Sequence, residues 1–176
     1  MPQLRNQESN FKGTIGKTLN DSEPWFELPQ HPGEDAPNIV VVLLDDTGFA
    51  QLGCYGSSIG TENIDNLAAD GLQFTNFHVT PLCSPTRASL LTGRSQHAVG
   101  MRSVSNFRTG FPHMLGHITN EAATMAEIFQ AEGYATFCAG KWHLAPMENC
   151  SSAGPFDQWP LGRGFDRFYG FLEGET

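Results

Sequence analysis

The chain has 176 residues, a length that holds one domain and no second full-sized core. Ten Lys and Arg stand against nineteen Asp and Glu, a formal net charge of −9 at pH 7. That balance excludes a nucleic-acid partner, because phosphate binding is driven by Lys and Arg that release counterions. Hydrophobic residues make up 39%, and with 19 Gly and 11 Pro the composition is that of a globular domain rather than a disordered or fibrous chain.

Residues 1–37 read as an extended polar N-terminal arm. Pro2, Pro24, Pro29, Pro32 and Pro37 punctuate a stretch with no sustained period of 2 or 3.6. Residues 1–10 lack the apolar stretch of a signal peptide, and no run approaches the ~20 apolar residues of a spanning helix. The expectation is a cytoplasmic protein with no membrane partner, and with periplasmic or secreted placement left open.

The β-branched run Ile39-Val40-Val41-Val42-Leu43-Leu44 is predicted to be a strand buried on both faces of a parallel sheet. It places Asp45-Asp46-Thr47-Gly48 at the strand's C-terminal end. A short helix follows over 61–70, with Thr61 as cap, Ile64, Leu67 and Ala68 on one face, and Gly71 at its end. Residues 72–79 alternate as a second strand. A turn at 80–85 then feeds a helix with Pro85 in its first turn and Gly93 at its stop. A helix is predicted over 120–132, ended by Gly133, and a third strand over 134–139 with Gly140-Lys141-Trp142-His143 at its end. Residues beyond Leu144 read as irregular. The order predicts α/β architecture: a mostly parallel sheet with helices on both faces.

In open α/β sheets, ligands bind beyond the carboxyl ends of the strands, where three clusters fall. Asp45 and Asp46 are adjacent carboxylates that a divalent cation would neutralise; alternatively one caps the turn and the other is solvated. Cys83 would face the unpaired N–H groups at a helix start, where the macrodipole favours an anion, with Arg87 on the same side of that turn. The bland alternative is a small buried thiol and a surface arginine. Lys141 and His143 point the same way if the backbone is extended, with Trp142 turned to the core, or else they are a solvated lysine beside a hydrogen-bonded histidine. Together the clusters suit an oxyanion. His31, His78, His97, His113 and His117 have no partner at local spacing. Cys54, Cys138 and Cys150 default to core or loop thiols, and no C-x-x-C pair suggests zinc.

Cys83-Ser84-Pro85-Thr86-Arg87, continued by Ala88 to Arg94, resembles the sulfatase signature C-x-P-x-R with its following T-G-R segment. Residues 37–48, Gly140 to Leu144, and Gly164-Phe165-Asp166 with Phe168 to Phe171 are similar to three further motifs of that family, in order. The likeness runs from about Asn38 to the end and looks closest to bacterial arylsulfatases. It implies an alkaline-phosphatase-like fold and makes 38–176 the N-terminal portion of a sulfatase catalytic domain, truncated, with further metal and substrate ligands supplied elsewhere.

Carried over, the resemblance implies that Asp45, Asp46 and residue 83 bind one Ca2+. It implies that a formylglycine-generating enzyme oxidises Cys83 to formylglycine, and that Arg87 steadies the hydrated aldehyde. Lys141 and His143 would contact the formylglycine and the sulfate. One hydroxyl of the hydrate would attack sulfur with loss of the alcohol, and the second would expel sulfate and restore the aldehyde. The implied activity is hydrolysis of a small-molecule sulfate ester, with the 176 residues alone expected to be inactive. Two alternatives stand beside it: a phosphonate monoester or phosphodiester hydrolase on the same scaffold, and a non-catalytic remnant.

Overall fold

The structure, a computed structural model, describes residues 11–26, 28 and 31–175. Its regular elements are helices α1 (Glu62–Asp70), α2 (Cys83–Thr92) and α3 (Met125–Ala131) and strands β1 (Phe137–Lys141) and β2 (Arg167–Phe171). Of the predicted arm, residues 1–10, 27, 29 and 30 lie outside the described residues. Within the rest, Thr14 and Glu23 form an antiparallel bridge. No helix among the described residues is long and apolar enough to cross a membrane.

Local chemistry accounts for the helix ends. α2 stops where Gly93 takes a left-handed conformation, φ 63°, and its N–H reaches Ser89 O, a conformation that favours glycine. α3 opens on a reciprocal cap in which Thr124 Oγ1 accepts from Glu127 N–H at 3.1 Å and Glu127 Oε2 accepts from Thr124 N–H at 2.6 Å. That cap sets the start at Met125 rather than at the predicted Asn120. The preceding residues serve other bonds, with Ala122 O accepting from Arg163 and Asn120 Oδ1 from Gln158. In α1, Thr61 is the flanking residue, and its hydroxyl donates to Asp65 Oδ1 at 2.9 Å and accepts from Gly53 N–H at 2.7 Å instead of capping an N–H of the helix.

β1 and β2 pair in parallel, with Phe137 opposite Arg167 and Lys141 opposite Phe171. The pairing continues past β1, since Trp142 N–H and His143 N–H donate to Phe171 O and Leu172 O, each at 2.9 Å. At the Gly140–Gly170 pair the strands come so close that a Cβ at Gly170 would collide with the Gly140 carbonyl. The core gathers Ala88 of α2, Val99, Met101, Ile118, Ala122, Trp142, Leu144 and Ala145. Trp142 is 2% exposed, donates its indole N–H to Gln158 O at 2.9 Å and meets Phe165 edge-on. Burying this large ring anchors the end of β1.

Three expectations about strands are corrected. Residues 39–44 form no ladder among the described residues, and they are 37% to 84% exposed. Residues 72–79 likewise form none. A parallel strand draws its hydrogen bonds entirely from neighbours, and the one ladder among the described residues is β1–β2. The third strand runs from Phe137 to Lys141, so Lys141 lies inside it. β2 occupies a stretch read as irregular.

Asp166 locks the entry to both strands. Its carboxylate accepts from Thr136 N–H at 2.9 Å, from the Thr136 hydroxyl and from Gln130 Nε2 at 2.7 Å. The Thr136 backbone bond, then the Gln130 bond, hold its pKa below the usual carboxylate value. Because the folded form releases this proton more readily than the unfolded chain, the stabilisation is full above the unfolded pKa near 4 and is lost as pH falls through the folded value. Denaturant titrations from pH 6 down to pH 3 are expected to show less acid-dependent loss of stability in Asp166→Asn than in the wild type. Equal slopes would contradict this role.

Candidate active site

Helix α2 begins at Cys83 itself, so residue 83 occupies the first helical position, where backbone N–H groups have no intrahelical partner. The His143 ring comes from just beyond β1, and its Nδ1 lies 3.1 Å from Cys83 Sγ. Lys141 Nζ, from the last residue of β1, is 2.7 Å from Asp45 Oδ2. Arg87, one turn into α2, places Nη2 3.2 Å from the same oxygen and donates from Nη1 to Lys141 O at 2.6 Å. The Lys141 and Arg87 side chains are only 11% and 13% exposed.

These charges fix one another. Burial works to raise the Asp45 pKa, but Lys141 and Arg87 outweigh it and hold the carboxyl below its usual range. Burial works to lower the Lys141 pKa, yet Asp45 and Cys83 keep it above the ordinary lysine value. His143 goes down to about 4, first because it is buried and then because Lys141 and Arg87 repel a third positive charge. Near neutral pH the site therefore holds an ammonium, a guanidinium, a carboxylate and a neutral imidazole around residue 83.

Five of the six residues singled out in the sequence thus meet: Asp45, Cys83, Arg87, Lys141 and His143. Asp46 is exposed, and its φ is 52°. His143, φ 53°, is the only other non-glycine residue with positive φ among the described residues. Asp and His tolerate this region better than most. His143 is therefore not extended, and the alternation argument for Lys141 and His143 is corrected: a left-handed turn accompanies the ring's approach to Cys83.

For a divalent cation the donor chemistry is right but partial. Asp45 and Asp46 are hard oxygen donors, while Asp45 Oδ2 is ion-paired to two basic side chains. Among the described residues no group of three or more His, Cys, Asp or Glu side chains converges on a metal position.

Sequence reasoning missed Ser84, Ser105 and Asn106. Ser84, wholly buried, donates its hydroxyl to His143 O at 2.6 Å and accepts from Ser105 N–H at 3.2 Å. Asn106 Oδ1 bonds His143 Nε2 at 2.5 Å. The partners lie 21 to 59 residues apart, so no local spacing signals them.

The sulfatase family model matches residues 37–176. The chain belongs to the sulfatase family. The chain is 42% identical to human arylsulfatase D over 137 residues, which is 76% of the chain and 23% of that protein. It is 45% identical to human arylsulfatase A over 140 residues, again 76% of the chain and 25% of that protein. Among solved structures it is similar to the crystal structure of Ps i-CgsB, at TM-score 0.62 and 35% identity, over 74% of the chain and 27% of that one. The chain thus spans about a quarter of the length of the curated relatives it matches, and its α/β fold is alkaline-phosphatase-like.

Proposed function

We propose that this sulfatase contributes the nucleophile half of a site that hydrolyses an organic sulfate ester. The observation that carries the reading is the convergence of Cys83, Arg87, Lys141 and His143 at the start of α2. A sulfate ester gains negative charge on its oxygens and on the departing alcohol oxygen as the S–O bond breaks, and preorganised cations in a largely buried site stabilise that charge. Converted to formylglycine by a generating enzyme, residue 83 would supply a hydrated aldehyde as nucleophile, and Ca2+ held in part by Asp45 and Asp46 would draw negative charge toward it.

The chain's own groups do the rest. Lys141 presents an ammonium to the oxyanion, held in place by Asp45 at 2.7 Å. Arg87 holds Lys141 by its carbonyl and shares Asp45 with it, which keeps two like charges side by side. His143 offers a neutral ring nitrogen to a proton on residue 83.

The test carries residues 1–176 in a chain of the relatives' full length, co-expressed with a formylglycine-generating enzyme. Release of 4-nitrophenol from 4-nitrophenyl sulfate is expected to exceed release from a 4-nitrophenyl phosphonate in kcat/KM. The reverse order would move the assignment to phosphonate or phosphodiester hydrolysis.

A further inference from the structure

We infer that Asn106 is a positioning residue: its side-chain oxygen accepts the Nε2 proton of His143 and so fixes the ring in the tautomer whose Nδ1 lone pair faces residue 83. The inference deepens the reading above and rests on it for its catalytic meaning, though its geometry stands apart from the chemistry at residue 83.

A neutral imidazole carries one N–H and one lone pair, and the partner of one nitrogen sets the role of the other. Here the two nitrogens have different partners. Nε2 meets Asn106 Oδ1, an atom that can only accept, at 2.5 Å, and Nδ1 meets Cys83 Sγ at 3.1 Å. The protonated residue 83 has one proton to donate, and the Nδ1 lone pair, 3.1 Å from Sγ, is the acceptor at hand. A ring of the opposite tautomer would point an N–H at residue 83 and leave its proton without that acceptor.

The ring has little freedom to turn away. Its residue is held at both backbone ends, by N–H donation to Leu172 O at 2.9 Å and by the Ser84 hydroxyl on its carbonyl at 2.6 Å. Gly174 lies against the ring so closely that a Cβ there would come within 2.8 Å of Cε1. The same Ser84 oxygen accepts from Ser105 N–H. The residue after Cys83 thereby sets the place of the residue before Asn106, and the nucleophile, the ring and its orienting amide share one frame. The charged groups acting on the ring are Lys141, Arg87 and Asp45, and none of them is the partner of Nε2.

Long-range ¹H–¹⁵N correlation spectra of the uniformly labelled chain, with His143 assigned by the loss of its signals in His143→Gln, read the tautomer directly. The wild type is expected to show Nε2 protonated and Nδ1 bare, and Asn106→Leu to show the two tautomers mixed. A wild-type ring protonated at Nδ1 would overturn the inference, as would a folded Asn106→Leu with an unchanged ring. Should Asn106→Leu fail to fold, the wild-type spectrum decides alone. In the full-length sulfatase described above, Asn106→Leu is expected to lower kcat on the order of 10²-fold with KM unchanged, and unchanged kcat would count against the positioning role. Because the spectra need no modification at residue 83, a failure of the sulfatase chemistry and a failure of this inference are told apart.

Discussion

Arg163→Met is expected to destabilise the fold by about 3 kcal/mol or more, through orphaned acceptors rather than lost charge. The arginine is 3% exposed and reaches three separate pieces of chain. It donates from Nη1 to Ile118 O at 2.9 Å and from Nη2 to Ala122 O at 2.7 Å, and lies 3.4 Å from Glu127 Oε2. Around it, Thr124 Oγ1 donates to the Arg163 carbonyl at 2.8 Å, tying the cap of α3 to the same residue. Methionine fills much of the volume but supplies no N–H, so two carbonyls lose their partners at a cost of ~1–3 kcal/mol each. For a chain of this size that corresponds to a fall in melting temperature on the order of 10 °C.

Arg108→Met is the control. Arg108 also pairs with a glutamate, Glu148, but both side chains are about half exposed, at 51% and 54%, and solvent screens the pair. Its loss is expected to change stability by less than ~1 kcal/mol. Thermal melts of the two variants side by side check the contrast, and equal shifts would contradict the assignment of Arg163 as the tie between α3 and the 118–122 segment.

The second large effect concerns chemistry. Cys83→Ala, in a chain of the relatives' length co-expressed with the generating enzyme, is expected to lose ~10⁴–10⁶-fold in kcat for an aryl sulfate. Residue 83 sits at the first position of α2, 3.1 Å from the His143 nitrogen, and alanine leaves that ring and the neighbouring cations with no nucleophile to serve. The residual rate then comes from Lys141, Arg87 and the helix terminus acting on water. Steady-state kinetics checks it. A loss of less than tenfold would mean that another group attacks sulfur.

The site was legible in the sequence because its members sit in short segments whose ends the fold must bring together. Gly93 closes α2 as expected and so fixes where Cys83 and Arg87 stand. The apolar Trp142 between two polar neighbours placed Lys141 and His143 near the same face, although His143 gets there through a left-handed turn that alternation does not predict. Asn106 and Ser84 were illegible as site residues. Their value lies in hydrogen bonds to residues 37 and 59 positions away, and a serine inside a helix start or an asparagine in a loop has many commoner uses.

The strands show the opposite limit. The run Ile39 to Leu44 has the composition of a buried parallel strand, but composition supplies no partner, and the one ladder among the described residues is β1 with β2. β2 was missed because Arg167, Tyr169 and Gly170 are exposed within it and leave no clean alternation to read. What identifies it is long-range: the tight Gly140–Gly170 approach and the Asp166 lock at its entry.

The central claim is that residue 83 is a nucleophile made by modification of Cys83, and peptide mass spectrometry across α2 after co-expression with a formylglycine-generating enzyme tests it most directly. The account predicts that the Cys83 peptide loses its thiol mass in favour of the aldehyde, and that the Cys54, Cys138 and Cys150 peptides are unchanged. A Cys83 peptide that remains a thiol under those conditions would contradict it.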